Sequence, residues 1–258
     1  MTRESARGAQ RTRRDSENPA ADPKAGEAPR LFADQNRSGL VVQNLCKSYG
    51  REGVLRGVSF TLSPGNALGV CGSNGAGKTT LIHLLASILT PDSGTITLFG
   101  VPAGRSRAYR EKIGFVPQEI ALSPRLTVRQ NLDFWASMNG LSGKARETAV
   151  EEAISLTNIG NFLHKRVSRC SGGMARRANL AAGLVGSPSL ILLDEPTAGI
   201  DEDNRDAILL SVQSLQKAGR MVIMVNHYRL ELESICGSII TLKDGQLMDN
   251  GQPALQAQ

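Results

Sequence analysis

The 258-residue chain has no uninterrupted apolar stretch approaching the ~18 residues that a membrane-crossing helix needs. Its most apolar window, Ala178 to Leu193, is broken by Gly183, Gly186, Ser187, Pro188 and Ser189. Any membrane role is therefore expected to run through a partner. Paired cysteines are missing too. Cys46, Cys71, Cys170 and Cys236 are scattered, without the close spacing of a zinc or redox motif. A reducing compartment and small, mostly buried thiols are the expectation. Charge of one sign is also scarce. The net charge of +6 includes +2 from residues 1–38, and the remaining +4 is too little to argue for nucleic acid as a partner. No internal repeat and no heptad run is visible.

Residues 1–38 lack apolar periodicity and are rich in Arg, Ala, Pro, Ser and acidic residues, so a disordered tail is expected there. Arg13-Arg14 is followed by no hydrophobic stretch, so a twin-arginine export signal is not expected there. Five arginines within the first 14 positions leave contact with anionic lipid as an alternative to a solvated tail. From Leu40 the pattern changes. Strands are expected over 40–45, 58–62, 66–71, 95–99, 113–116, 190–193, 221–225 and 238–242, with helices over 80–88, 175–184 and 205–217. Thr127 is placed to cap a helix with Val128, Leu132, Trp135 and Met138 on one face. Ser142 is placed to cap another with Ala149, Val150, Ala153 and Ile154. These two helices interrupt the alternation, so the fold expected is α/β: a mixed sheet flanked by helices, with an inserted helical subdomain over roughly 119–170.

What is present is a stretch suited to a nucleoside triphosphate: Gly72-Ser73-Asn74-Gly75-Ala76-Gly77-Lys78-Thr79. An apolar strand precedes it, and a helix beginning near Thr80 follows, the context that a phosphate-binding loop requires. Glycines let the backbone turn its N–H groups inward, and the helix N-terminus adds partial positive charge. Lys78 is placed for the β- and γ-phosphates and the Thr79 hydroxyl for Mg²⁺.

Two further constellations decide what kind of triphosphate protein this is. Leu190-Ile191-Leu192-Leu193-Asp194-Glu195 is an apolar strand ending in two carboxylates, more than a hundred residues after the loop. Such a strand sets Asp194 beside a metal and Glu195 beside the γ-phosphate, as base or polarising group for the attacking water. Between loop and strand, Cys170-Ser171-Gly172-Gly173-Met174 is a second glycine-bearing turn opening a helix, hence a second anion site. One nucleotide does not need two such turns from one polypeptide. Sharing between two subunits resolves the excess.

With these motifs the chain resembles the nucleotide-binding subunit of an ATP-binding cassette (ABC) transporter, from about Leu40 to Gly251. The resemblance implies a P-loop ATPase core over 39–258. It also implies roles for residues that spacing alone leaves open. Tyr49 is where the family stacks adenine, and the ATP contacts run from Gly72 to Thr80 together with Asp194. Gln118 in Val116-Pro117-Gln118 is the glutamine that contacts Mg²⁺ and links to the helical lobe. Ser171, Gly172 and Gly173 match the signature that binds the γ-phosphate of ATP held by the opposite subunit. Asp201 matches an aspartate at the dimer seam, and His227 the histidine that contacts the γ-phosphate. The signature departs from the usual pattern at Cys170 and Met174, yet the Ser171 hydroxyl and the two glycine N–H groups are kept. Glu195 and His227 are both present, so a hydrolytically competent site is expected. His83 and His164 have no place among the motifs and read as structural or surface residues.

The function implied is an ATP- and Mg²⁺-dependent ATPase at the cytoplasmic face of the cell membrane. It would pair with a second ABC subunit, identical or not, and drive a separate integral-membrane permease. Met174, Arg176-Arg177, Pro196–Asp201 and Leu126–Leu132 are similar to the drug- and antibiotic-resistance export branch, though cargo follows mainly from the permease. Residues 119–170 would contact it, with Phe134 and Trp135 as candidate docking residues, Trp135 being better placed for core packing. The alternative is a soluble ABC-type ATPase in translation or DNA maintenance. A single cassette and the lack of heptads weigh against it.

Overall fold

The computed structural model describes residues 39–248, so the expected tail over 1–38 lies outside the described residues. Strands β1 (Leu40–Tyr49), β2 (Glu52–Leu62), β4 (Ser93–Leu98) and β5 (Val101–Pro102) form an antiparallel sheet in the order β2-β1-β4-β5. A second sheet holds β3 (Ala67–Cys71), β6 (Ile113–Val116), β7 (Leu190–Asp194), β8 (Met221–Val225), β9 (Ser238–Lys243) and β10 (Gln246–Met248), in the order β10-β9-β3-β8-β7-β6. It is mixed, as expected: β9 through β6 pair in parallel and β10 pairs antiparallel at the edge.

The parallel strands are apolar without alternation because both faces are covered. Successive side chains point to opposite faces. Ile191, Leu193, Val222 and Met224 therefore join one apolar cluster with α3 (Val128–Met138), α4 (Gly143–Thr157), α5 (Gly172–Leu184), α6 (Glu202–Lys217) and α7 (Arg229–Ile235). Leu68, Val70, Leu190, Leu192, Met221 and Ile223 join the other, with α1 (Lys78–Leu85) and the antiparallel sheet. Fully buried Tyr109 on α2 (Arg107–Arg110) donates its hydroxyl to the Leu85 carbonyl at 2.8 Å, tying α2 to the end of α1.

Helix α3 begins with the expected cap, reinforced into a box. Gln130 N–H donates to Thr127 Oγ1 at 3.1 Å, and Thr127 N–H donates to Gln130 Oε1 at 2.9 Å. Its buried arc is Val128, Asn131, Leu132 and Ala136. Met138 is a correction: it is 65% exposed. At about 100° per residue it lies roughly 80° from Val128, on the opposite flank from Ala136. Trp135 is half-buried, with Nε1 donating to the Ala121 carbonyl at 3.2 Å. Helix α4 buries Ala149, Val150, Ala153 and Ile154 as expected. Ser142 sits at its N-cap position but forms no side-chain capping bond, with φ −144°. The last carbonyls of α4, Thr157 and Asn158, accept from Arg177 of α5, whose guanidinium also lies over the Phe162 ring. That arginine fastens the helical insert to the helix that follows the second glycine turn.

Parallel register fixes where chemistry can gather. Val116 pairs with Leu193, and Asp194 with Val225, so β6, β7 and β8 end at one level beside β3. In open parallel sheets the carboxyl ends of the strands are where ligands sit. The segments leaving these four ends carry Gln118, Glu195, His227 and the phosphate loop.

Candidate functional site

The loop from Gly72 curls around the side chain of Lys78. Lys78 is 7% exposed, and its Nζ donates to the carbonyls of Gly72 and Ser73, each at 2.9 Å. Gly77 ends the loop in the left-handed region, φ +101°, at the N-cap of α1. No side chain caps that helix, so its first N–H groups stay available to an anion. The helix starts at Lys78, two residues before the expected Thr80, because the glycine turn itself supplies the first helical residues. Ala76 is buried, Thr80 half-buried, and Ser73, Asn74, Gly75 and Thr79 exposed.

Asp194 closes β7 and is 5% exposed. Burial raises its pKa above the ordinary 3.8, the neighbouring Glu195 charge adds to that, and His83, Lys78 and His227 act against it. Among the described residues no hydrogen bond or ion pair engages its carboxylate. A buried carboxylate without a donor, beside the hydroxyl-bearing start of α1, fits a cation better than an empty cleft. His83, on α1, packs edge-on against Phe115 at 5.8 Å, a structural placement as expected. His164 is exposed.

Glu195 leaves the strand in the left-handed region, φ +48°, a conformation uncommon for a residue with a side chain. Its N–H donates to the Val225 carbonyl at 3.0 Å, fixing the turn against β8. Its carboxylate is held from two sides. Oε1 lies 2.5 Å from His227 Nε2, and Oε2 accepts from Gln118 Nε2 at 3.1 Å. Arg176 of α5 donates to the Gln118 carbonyl. Burial lowers the pKa of that guanidinium and the charge of Glu195 raises it. Asn179 of α5 holds the same segment, accepting from Ala121 N–H at 2.9 Å and donating to the Pro117 carbonyl at 3.3 Å. The structure thus brings Gln118, Glu195 and His227 into direct contact, with Asp194 and Lys78 close by.

The second glycine turn stands apart. Ser171 is the N-cap of α5, its Oγ accepting from Met174 N–H at 3.2 Å. Ser171 and Gly172 are exposed, and nothing lies within 4 Å of where a Gly172 side chain would begin. Gly173 is packed: a Cβ there would fall 2.3 Å from Cγ of Asn204. Asn204 is pinned by Asp201, its N–H and Nδ2 donating to the Asp201 carboxylate at 2.9–3.0 Å. Asp201 is the N-cap of α6, and these bonds lower its pKa. The signature turn and Asp201 therefore share one exposed ledge. Among the described residues no hydrogen bond or ion pair joins this ledge, or Tyr49, to the phosphate loop. Tyr49 is exposed at the end of β1, with Lys47 Nζ 6.0 Å from its ring centre.

Sequence reasoning missed a buried polar cluster behind Glu195 and His227, made of Thr197, Asn226 and Glu231 with Arg205 beside it. All four lie outside the two glycine turns and the acid pair, and Thr197 falls in Pro196–Asp201 without a role attached. No helix among the described residues is long and apolar enough to cross a membrane.

Comparison with known proteins places this geometry. A family profile described as "ABC transporter" matches residues 55–198. The linearmycin resistance ATP-binding protein LnrL of Bacillus subtilis is 41% identical over 216 residues, covering 82% of this chain and 68% of that protein. The Nod factor export ATP-binding protein I of Rhizobium etli is 36% identical over 211 residues, covering 81% and 67%. Among solved structures, cbiO1 of Clostridium perfringens, part of an ABC transporter complex, has a TM-score of 0.75 at 29% identity over 83% of this chain and 88% of that one. A dimeric ATP-binding cassette in a post-hydrolysis state, bound to ADP and Pi, has a TM-score of 0.72 at 25% identity over 81% and 97%.

Proposed function

The chain belongs to the ABC transporter family of ATP-hydrolysing subunits, and we propose that it is the motor of an exporter, closing with a second subunit around ATP and driving a separate permease. One observation carries the catalytic part. Glu195 is held at the end of β7 between His227 and Gln118, beside a loop whose helix N-terminus has no side-chain cap.

In this reading the N–H groups of the loop from Gly72 to Thr79 cradle the phosphates, with Thr80 behind them. Lys78 exchanges its two carbonyl partners for phosphate oxygens. Thr79, Gln118 and Asp194 would hold Mg²⁺. No three His, Cys, Asp or Glu side chains among the described residues form a metal cage, which suits a cation held largely by substrate phosphates. A cation held there would supply positive charge against the phosphate oxygens. Glu195 orients and polarises the attacking water, a role typically contributing ~10²–10⁴-fold. His227 and Gln118 aim its carboxylate, and His227 reaches the γ-phosphate. Tyr49 stacks on adenine. Ser171, Gly172 and Gly173 complete the site of the opposite subunit, and Asp201 lines the seam.

Residues 119–170 form the lobe that meets the permease, and the cassette, expected over 39–258, is one domain whose residues 249–258 lie outside the described ones. Phe134 is half exposed on the outer side of α3 beside exposed Met138, which suits docking, whereas Trp135 packs inward. Resistance and export in the names of two relatives support outward transport at the cytoplasmic face of the membrane.

The test is a tagged Glu195→Gln chain purified from solubilised membranes with ATP, its co-purifying proteins identified by mass spectrometry. A multi-spanning membrane protein in near-stoichiometric amount is the expected result. Recovery only from the soluble fraction, with ribosomes or DNA, would overturn it.

A further inference from the structure

We infer that Glu231, which no motif contains, is a positioning residue that holds Glu195 and His227 in their working arrangement. The inference rests on the proposed roles of those two residues. Glu195 and His227 leave neighbouring strands on short turns, and each turn has a polar side chain facing inward: Thr197, two residues after Glu195, and Asn226, one before His227. Both are almost completely buried, at 1% and 2% exposure.

Glu231 of α7 receives both. Its Oε2 accepts from Thr197 Oγ1 at 2.5 Å and from Asn226 Nδ2 at 2.8 Å. Asn226 Nδ2 also donates to Thr197 Oγ1 at 2.9 Å, which closes a triangle. On its other side Asn226 Oδ1 accepts from Tyr228 N–H at 3.1 Å, so one amide brackets the backbone of His227. The second oxygen of Glu231 faces α6. Oε1 lies 3.1 Å from Arg205 Nε, near enough for an ion pair but out of line for a hydrogen bond. Arg205 is one turn beyond Asp201, so the carboxylate also touches the helix that carries the exposed ledge.

Charge-assisted bonds in a water-poor site are stiff and geometrically demanding. A carboxylate that only anchored α7 would need one partner. This one joins the two turns whose separation sets the 2.5 Å contact between Glu195 and His227. Misplacing a reacting group by ~1 Å can lower turnover on the order of 10²-fold.

The experiment compares the ATPase kcat, the KM and the ATP affinity by calorimetry of the full chain and its variants. Glu231→Ala is expected to lower kcat at least ~10-fold while KM and affinity stay within about 2-fold. In Glu231→Gln the amide oxygen still accepts from Thr197 and Asn226, but the amide nitrogen meets the Arg205 guanidinium donor to donor, so kcat should recover part of the loss and fall between the Ala variant and the original. Thr197→Val, which removes one donor at constant shape, should lower kcat in the same direction and add nothing to Glu231→Ala. A Glu231→Ala chain with unchanged kcat per active site, whatever its melting temperature, overturns the inference. So does a Gln variant as impaired as Ala. Should Glu231→Ala not fold, an unchanged kcat in Thr197→Val overturns it instead. Glu195→Gln, run in parallel, separates the failures. If it is inactive while Glu231→Ala and Thr197→Val are intact, only this inference falls. If it remains active, the reading of Glu195 falls and takes this one with it.

Discussion

Two glycine-bearing turns each open a helix in this chain, and they are built for opposite circumstances. At the phosphate loop, Gly77 takes a left-handed conformation, no side chain caps α1, and the lysine folds into the loop. At the signature turn, Ser171 caps α5 with its own hydroxyl, and Ser171 and Gly172 face solvent. The first turn leaves helix N–H groups unsatisfied and so needs an anion from within its own chain's site. The second has its Met174 N–H taken by the Ser171 hydroxyl, while the Gly172 and Gly173 N–H groups stay open to an acceptor. A helix start capped in this way can sit exposed until another surface meets it. On the proposed reading, the pair lets one fold hold half of each of two sites.

The comparison breaks most visibly if the two turns fail in different ways. Lys78→Ala should weaken ATP binding by about 10²-fold, because removing one partner from a desolvated charge contact costs ~2–5 kcal/mol. Ser171→Asp should leave ATP affinity of the single chain within about 2-fold, since Asp caps a helix as well as Ser does. Turnover should nevertheless fall below that of Ser171→Ala, as a carboxylate at that place repels the partner's γ-phosphate. Calorimetry and ATPase rates on the three variants check this. Equal activity of the Asp and Ala variants would reduce Ser171 to a cap.

A smaller effect separates neighbouring glycines of the signature. Gly173→Ala drives a methyl into Asn204, which Asp201 pins, and overpacking of this kind costs ~1–3 kcal/mol. Its melting temperature should drop, with Asn204→Ala restoring part of the loss. Gly172→Ala meets open space, so stability should hold while turnover falls.

The smallest effect is at Asp194. Its pKa is raised above 3.8 by burial, so its contribution to stability is favourable below that value and is lost as pH rises through the folded pKa. Asp194→Asn should therefore raise the neutral-pH Tm of the nucleotide-free chain, with the gain vanishing as pH falls towards 3.8. The same variant should lose the Mg²⁺ dependence of ATP binding.

How much of this was legible in the sequence follows from what each element depends on. β6 and β8 run as expected because their apolar runs are bounded, β8 being buried on both faces and edge strand β6 on one face with the other half-buried. β2 was expected only from Val58. Its first half, Glu52 to Gly57, sets half-buried Val54 and buried Leu55 among glycines and exposed charged residues, too uneven a pattern to read as a strand without the pairing with β1. β5, β10, α2 and α7 are too short for a periodic signal and exist through contacts with the rest of the chain. At the site, order and spacing were enough to single out Lys78, Asp194 and Glu195, and the family resemblance added His227. Sequence could not show that Gln118 reaches Glu195, that Arg176 grips the segment behind it, or that Asp201 and Gly173 meet through Asn204. Those contacts join residues far apart in the chain, so only the sheet register and helix packing reveal them.

The central claim, that each ATP is held by the loop of one subunit and the signature of another, is tested by mixing two disabled chains. A Lys78→Ala chain and a Ser171→Asp chain are each inactive alone, but their mixed dimer holds one site with a good loop facing a good signature. Random pairing should then recover about a quarter of the original ATPase rate, since half the symmetric dimers are mixed and each has one of two sites. No recovery, with mixed dimers demonstrated by differential tagging, would mean that both turns serve the same chain's nucleotide.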